Sequence, residues 1–321
     1  MLERSRVVLR STADISIEAA VRECMEFCDW RGLVGQGAHV VVKPNLCAAS
    51  PEDAKAANTD IEVCRSVCRV LLEKTNRVSL VESDGIRYTA EQAYQASGYV
   101  EMAKEIGVPL VNLSKTKWVS VRCAPVGMVE VPRMILDADV FITIPVLKTH
   151  GLTYFTGALK NQWGCLPQFN RIMYHNYLDQ MLASLHRIFR PGLVVMDGVI
   201  AMEGKGPVNG KPRRMDIILA SRDGVALDAA AMRLVGLDPT QARHTVLAAN
   251  QGLGTMADDE IELHGEWQRH ITQFEPATID LANRVETYMS QYRWFVKYVL
   301  EKDLVYYPIR STVNMIRRLA T

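Results

Sequence analysis

The sequence predicts an α/β fold in which a mostly parallel sheet carries helices on both faces. Short β-branched runs alternate with helical patterns, the runs are apolar throughout, and polar residues follow directly after several of them. A chain of 321 residues, 48% of them apolar and 23% charged, can bury a large core as one domain or as two lobes. The carboxyl ends of the strands would then form a cleft, where open α/β sheets bind ligands.

Each predicted strand is a short run rich in valine, isoleucine or leucine that stops at a turn residue. In chain order these runs are AHVVVKPN, NRVSLVESDG, VPLVNL, DADVFITIPVLKTH, GLVVMDGV and MDIILAS. Helical spacing of apolar residues predicts helices near 16–30, 60–75, 89–107, 175–190, 224–235 and 239–251. Between them, WVSVRCAPVGMVEVPR predicts an antiparallel hairpin or a flap.

The chain is interpreted as an α/β catalytic-like domain over 1–270, with a candidate lobe boundary near 145, followed by an aromatic helical extension over 271–321. The extension mixes aromatic residues with arginines, a composition found both at membrane interfaces and in helices that pack on their own domain or across a homodimer. We favour packing on the domain or across a homodimer. The aromatic residues concentrated in the extension are Tyr288, Tyr292, Trp294, Phe295, Tyr298, Tyr306 and Tyr307.

The net charge and the absence of targeting patterns in the sequence restrict the kinds of partner and the cellular location that we expect. Lys and Arg number 37 against 36 Asp and Glu, so no bulk field favours nucleic acid or an anionic membrane, and a small molecule is the expected partner. The N-terminus has no secretory signal pattern and no run of about 18 apolar residues occurs, which predicts a cytoplasmic protein.

The seven cysteines are interpreted as free thiols that are mostly buried. Cys24 and Cys28, like Cys64 and Cys68, repeat one face of a predicted helix. A metal or iron–sulfur site is the alternative, but the C-x₂-C runs typical of such sites are missing, so no ferredoxin-type module is expected.

Polar residues follow four of the predicted strands, and a parallel sheet would bring them to one edge. A single one of them would more often be a helix cap or a surface charge, but four strand ends together favour a site. The residues are Lys43 and Asn45, Asp84 and Arg87, Lys148 and His150, and Asp197.

Two further segments carry candidate groups. After Asp197, the glycine-rich run holding Gly204 and Gly206 predicts either amides that face an anion or a mobile surface turn, and Glu203 offers a second carboxylate. Asp228, inside a helical pattern of small residues, is interpreted as a brace for a neighbouring loop.

The most informative stretch follows the strand ADVFITIPV. His150 is a candidate general base because an imidazole titrates near neutral pH. Lys160, at the start of a predicted helix, is a candidate nucleophile or covalent anchor; alternatively it pairs with a carboxylate while Asn161 caps the helix. His175 is either a metal ligand or a partly buried polar residue.

The segments VVVKPNL, PVLKTHGLTYFTGALKNQWG and DGVIAMEGKGP resemble the domain of unknown function 362 family over roughly 35–255. The run from His150 to Lys160, followed by His175, is more distantly similar to the nickel-pincer lactate racemase family. That resemblance implies that Lys160 anchors a nickel-pincer-type nucleotide, His150 exchanges a substrate proton and His175 binds the metal. Where that family has a second catalytic histidine, this chain has Ile86, with Arg87 beside it.

The leading hypothesis is therefore a cofactor- or metal-dependent enzyme, racemase-like or an oxidoreductase, that moves a proton or hydride on a small anionic substrate. Catalysis would involve His150, Lys160 and Asp197. The alternative is a non-catalytic nucleotide- or metal-binding module that serves a redox or maturation partner. The residues expected to bind the substrate anion are Lys43, Asn45, Asp84, Arg87, Lys148, Asn161, Gly204 and Gly206.

Overall fold

The computed structural model describes residues 4–85, 88–167, 171, 173–277, 288–289, 292–295 and 298–299. Strands β1 to β12 span Ser5–Ser11, Val40–Pro44, Val78–Glu82, Leu110–Asn112, Trp118–Cys123, Gly127–Pro132, Val140–Ile144, Val146–His150, Tyr154–Thr156, Leu193–Glu203, Lys211–Ser221 and Ile261–His264. Helices α1 to α12 span Ile17–Phe27, Trp30–Leu33, Pro51–Ala57, Ile61–Leu72, Ala90–Ala96, Tyr99–Ile106, Arg133–Leu136, Ala158–Asn161, Leu178–Phe189, Gly224–Leu234, Arg243–Asn250 and Trp267–His270.

One mixed sheet organises the described residues, in the order β12-β1-β11-β10-β7-β2-β3-β4, with β8 paired to β10 and β9 paired to β8. Pairing is parallel from β10 through β7, β2 and β3 to β4, and antiparallel between β1, β11 and β10. The predicted α/β class with a mostly parallel sheet is confirmed. Pro145 lies between β7 and β8 of this same sheet, so the sheet continues across the lobe boundary proposed near 145.

The central strands are buried on both faces, which explains their continuous apolar runs. Val40 and Val42 belong to a core that includes residues of α1 and α4, whereas Val41, between them, belongs to a second core that includes residues of α9. Successive side chains of a strand point to opposite faces, so this division places helices on both sides of the sheet.

Three strands were not predicted from the sequence. They are β1, β9 and β12, which are short or flanked by charged residues. The predicted hairpin is confirmed as β5 and β6, paired antiparallel. The glycine-rich run is the tip of a second hairpin, because β10 and β11 extend until Glu203 pairs with Lys211.

All seven cysteines are free, as expected, and six are buried; Cys47 is partly exposed. Among the described residues, no helix is long and apolar enough to cross a membrane. Most of the C-terminal extension lies outside the described residues, so its helical character and packing remain predictions. Of its described aromatic side chains, Tyr288, Tyr292, Trp294 and Tyr298 are exposed, Phe295 is partly exposed, and Phe274 is buried in the core.

Candidate functional site

A group of basic side chains lies at the carboxyl-terminal edge of the sheet. Strand β8 carries Lys148 and His150, and Lys160 lies on α8, two short elements further along the chain. These groups are close enough for Lys160, Lys148 and His175 each to lower the pKa of His150. We call Lys148, His150, Lys160, Arg171 and His175 the basic cluster. Arg87, which the sequence placed nearby, lies outside the described residues.

His150 has a defined hydrogen-bonding arrangement. Its Nδ1 accepts hydrogen bonds from the backbone N–H groups of Leu152, at 3.0 Å, and Thr153, at 3.3 Å. Burial, followed by the charges of Lys160 and Lys148, places the pKa of His150 well below its ordinary value, so the ring is neutral near pH 7. Because Nδ1 faces two donors, the proton of the neutral ring belongs on Nε2. This arrangement suits a hydrogen-bond donor better than the general base that the sequence suggested.

Lys160 lies in the four-residue helix α8 with its side chain partly exposed. Among the described residues, its amino group has no hydrogen-bond or ion-pair partner. Desolvation lowers the pKa of Lys160 to about 7; Cys47 opposes this shift, and the charge of Lys148 adds to it. An amine with that pKa is substantially neutral at physiological pH, and the neutral form is the nucleophilic and basic one.

Asp228, on α10, fixes the start of the Lys160 helix. Its carboxylate accepts the backbone N–H groups of Ala158, at 2.7 Å, and Leu159, at 3.2 Å, which confirms the bracing role predicted for it. Gly157 permits this approach, because a Cβ there would lie 2.0 Å from Asp228 Oδ1. Asp228 therefore positions Lys160 through the backbone of α8.

Replacing Asp228 with asparagine should remove part of the pH dependence of stability. Burial raises the pKa of Asp228 from 3.8 to about 7, so the folded state binds a proton that the unfolded state has released within that window. This carboxyl therefore makes the wild type lose stability as the pH rises from 3.8 to about 7.

In the Asn variant, urea denaturation at several pH values should show a shallower decline across the same window. The matched control is Asp53→Asn, the same substitution at an exposed acid in the first turn of α3. An Asp228→Asn slope equal to that of the wild type would contradict the expectation.

Lys148 is a fully buried cation without a carboxylate in contact among the described residues. Its Nζ donates to the carbonyl of Ala57, at 2.7 Å, and contacts Cys47 Sγ, at 3.2 Å. Cys47 was not identified as a site residue from the sequence, because it stands alone in a loop that only folding brings to β8. The buried charge of Lys148 favours a negatively charged group nearby.

Arg171 and His175 complete the basic cluster. Arg171 donates to the backbone carbonyl of Asp84, and burial lowers the pKa of its guanidinium. The ring of His175 stacks on Trp163 with centroids 6.0 Å apart, and burial, then the charge of Lys160, lowers the pKa of His175 to about 4. Arg171 was also missed from the sequence, although it lies inside the same motif-bearing stretch.

Lys43 has a structural partner instead of the predicted anion. Its Nζ lies 2.7 Å from Glu82 Oε2 and also donates to the carbonyl of Pro44, with both side chains of the ion pair buried. Asn161 belongs to the same network, because its Nδ2 donates to Thr143 Oγ1 at 2.7 Å and to the carbonyl of Lys43. The predicted anion-binding roles of Lys43 and Asn161 are therefore replaced by a buried polar network.

Asn45 and Asp84 also hold the backbone in place. Asn45 Nδ2 donates to the carbonyl of Ala57 at 2.7 Å. Asp84 Oδ1 accepts the N–H of Ala90, at the start of α5, at 2.9 Å and the side-chain amide of Asn112 at 2.8 Å. Both residues hold the chain in place just after their strands, and the hydrogen bonds they make are internal.

The carboxylates proposed around the glycine-rich run are likewise engaged. Asp197 accepts the backbone N–H groups of Asp60, at 2.7 Å, and Val199, at 2.9 Å, so both oxygens serve the fold. Burial raises the pKa of Asp197 to about 7. Glu203 lies 3.4 Å from Arg213 in an ion pair. Glu203 Oε2 also accepts the backbone N–H of Glu275 at 3.0 Å, so neither carboxylate presents an oxygen that is free of internal contacts.

The glycine amides at the tip of the β10–β11 hairpin bind the protein itself. The N–H of Gly204 donates to the carbonyl of Glu275, and that of Gly206 donates to the carbonyl of Gly204, both at 2.8 Å. A Cβ on Gly206 would lie 2.0 Å from the carbonyl oxygen of Thr149, so glycine is needed for close packing against β8. These contacts replace the anion cradle that the sequence suggested.

The fold and the basic cluster define an α/β protein with a group of basic side chains at the carboxyl ends of its strands. Residues 40–233 match the family described as domain of unknown function (DUF362), and the chain belongs to that family. A thylakoid-associated protein of Synechocystis sp. is 28% identical over 247 residues, which are 74% of this chain and 75% of the relative.

Two solved structures are similar at low identity. The lactate racemase apoprotein from Thermoanaerobacterium thermosaccharolyticum has a TM-score of 0.43 and 11% identity, with 91% of both chains covered. A protein from Thermotoga maritima has a TM-score of 0.41 and 13% identity, with 75% of this chain and 60% of that chain covered.

Proposed function

We propose that this protein is an enzyme that transfers a proton on a small anionic substrate held in the basic cluster. The observation that carries the proposal is the amino group of Lys160, which has a pKa of about 7 and no partner among the described residues. A buried cation, Lys148, and the guanidinium of Arg171 lie close enough to lower that pKa further. Such an excess of positive charge favours an anionic ligand.

The division of roles follows from protonation states. Neutral Lys160 accepts a proton or forms a covalent bond with a carbonyl carbon, both of which require its free electron pair. Neutral His150 donates from Nε2 to an oxygen on which negative charge develops, while its Nδ1 stays fixed by two backbone donors. Lys148 and Arg171 supply the field that attracts the anion.

A nickel-pincer-type nucleotide or another metal-bearing cofactor is compatible with these residues. The described residues contain no group of three or more His, Cys, Asp or Glu side chains arranged to hold a metal, so most metal ligands would come from the cofactor. In that case Lys160 would anchor the group through its amine and would no longer serve as the base, and His175, whose ring is neutral near pH 7, would supply one nitrogen. Such a group would supply a hydride or electron acceptor.

Protein purified from its native host provides the test. Intact-mass measurement and metal analysis would identify an adduct on Lys160, and incubation with 2-hydroxy and amino acids in D₂O would report proton transfer as deuterium incorporation. We expect incorporation with at least one acid and its loss in Lys160→Met. Absence of adduct, metal and incorporation, together with a tightly bound nucleotide, would instead favour the non-catalytic binding module.

Replacing His150 should reveal whether it acts as a donor. In His150→Gln the side-chain amide can still donate a hydrogen bond, so we expect the rate of deuterium incorporation to fall about 10-fold. His150→Phe removes the donor, and we expect that rate to fall about 10²–10³-fold. The rate should fall as the pH drops below about 7 in the wild type and equally in His150→Gln, because Lys160 and not His150 becomes protonated there. An acidic limb that disappears in His150→Gln would show that His150 is the base.

A further inference from the structure

His244, in the first turn of α11, is a fully buried polar side chain close to the basic cluster. Among the described residues neither of its ring nitrogens has a hydrogen-bond partner. Buried polar atoms are bonded in the great majority of cases, so an imidazole with two free nitrogens calls for an explanation. The sequence did not single out His244, which is isolated in the chain from every other candidate residue.

Asp179 is the acid nearest to His244. The side chain of Asp179, in the first turn of α9, lies with Oδ1 3.6 Å from His244 Nδ1. The side chain of Asp179 is 23% exposed and that of His244 is 0% exposed. Because α9 packs along α11, this pair leads from the protein surface toward the interior.

Helix α9, which carries Asp179, packs against α8, the helix of Lys160, as well as against α11. Burial lowers the pKa of His244, Asp179 opposes this shift, and the charge of Lys160 adds to it. His244 in turn contributes to the lowered pKa of His150. The titratable groups in electrostatic range of His244 therefore include one acid, Asp179, and two bases, Lys160 and His150.

We infer that Asp179 and His244 form a relay through which Lys160 exchanges its proton with solvent. The inference rests on the proposed function, because it assumes that Lys160 changes protonation state during turnover. When protonated Lys160 releases its proton, His244 binds it at Nε2 and passes the Nδ1 proton to the carboxylate of Asp179, which releases it to water. The reverse sequence recharges Lys160, and no net charge remains on His244. His244 is thus a positioning and proton-relay residue that need not touch the substrate.

The tautomer of His244 can be measured without any substrate. In long-range ¹H–¹⁵N spectra of histidine-labelled full-length protein, His244 should carry its neutral proton on Nδ1, directed at Asp179. Asp179→Asn keeps an acceptor oxygen and should preserve this tautomer, whereas Asp179→Ala should shift it toward Nε2–H. A His244 ring that holds its proton on Nε2 in the wild type, or is unaffected by Asp179→Ala, would overturn the relay even if the enzyme is active.

Turnover then tests the relay itself. In protein from the native host, His244→Ala should slow deuterium incorporation about 10²-fold with little change in KM, and millimolar imidazole should restore part of the rate. Asp179→Asn should show a smaller loss. Acylation of Lys160 should remain normal in both variants, which controls for folding of the site. Unchanged turnover in His244→Ala would overturn the inference. So would a loss of turnover in His244→Ala that imidazole does not rescue, if His244→Gln is fully active.

If no acid incorporates deuterium in the wild type, the proposed function is contradicted, and this outcome is distinct from failure of the relay. The spectra would then still decide whether Asp179 controls the protonation of His244.

Discussion

Lys160→Met is expected to abolish proton transfer and at the same time to make the folded protein more stable at neutral pH. The pKa of Lys160 is lowered from 10.5 in the unfolded chain to about 7 in the folded one. Between those values the unfolded state binds more protons, so this residue makes stability rise with pH across the window, and its full penalty applies below pH 7. Methionine has a similar length and no charge, so it removes the penalty.

Urea denaturation at a series of pH values measures this effect. The stability gained by Lys160→Met over the wild type should be largest near pH 6 to 7, on the order of 1–2 kcal/mol, and should shrink toward pH 10. Lys55→Met, at an exposed position of α3, is the matched control and should not reproduce the gain in stability. A Lys160→Met variant that is less stable than the wild type at pH 7 would show that the amine has a stabilising partner.

The lowered pKa also makes Lys160 chemically selective. At pH 7 about half of its amino groups are neutral, whereas a surface lysine near its ordinary pKa of about 10.4 is almost wholly charged. A small anionic acylating reagent used briefly at pH 7 should therefore modify Lys160 first, and its rate should have a midpoint near pH 7. Peptide mapping that finds uniform labelling, or a midpoint above pH 9, would contradict the charge distribution on which the proposed function depends.

The sequence was sufficient to predict the sheet and the edge at which the basic cluster lies, because both follow from local patterns. Apolar runs such as the one that contains Val41 identify buried parallel strands, and their carboxyl ends determine where a ligand can lie. The gathering of Lys148, His150 and Lys160 followed from that rule. What the rule could not supply is the set of neighbours that each polar side chain meets once the strands pair.

Two residues illustrate that limit. Asn161 has a residue type typical of a binding site, but its amide is bonded to Thr143 on β7 and to the backbone of β2, which only the pairing of these strands brings within reach. His150 was predicted from its residue type and strand position, whereas its tautomer depends on the turn that follows and aims two N–H groups at Nδ1. Chemical role is therefore less predictable than location.

The Lys43–Glu82 ion pair gives the largest expected change in stability. Lys43→Met should lower the free energy of unfolding by about 3–5 kcal/mol, because it leaves the carboxylate of Glu82 buried without its cation. Among the described residues, only the backbone N–H groups of Leu46, at 3.2 Å, and Ser83, at 2.9 Å, would then donate hydrogen bonds to that carboxylate. Gly164 keeps the pair tightly enclosed, since a Cβ there would lie 2.8 Å from Lys43 Cε.

A double-mutant cycle separates the pair from the packing around it. Glu82→Leu alone leaves the ammonium of Lys43 buried without a counter-ion and should also be strongly destabilising. Lys43→Met combined with Glu82→Leu removes both charges and should recover much of the lost stability. Because Lys43 has its own carboxylate, selective acylation of Lys160 and binding of small anions should survive in the double variant. If Lys43→Met is nearly as stable as the wild type but loses anion binding, the ammonium is a ligand of the substrate, and Glu82 merely orients it.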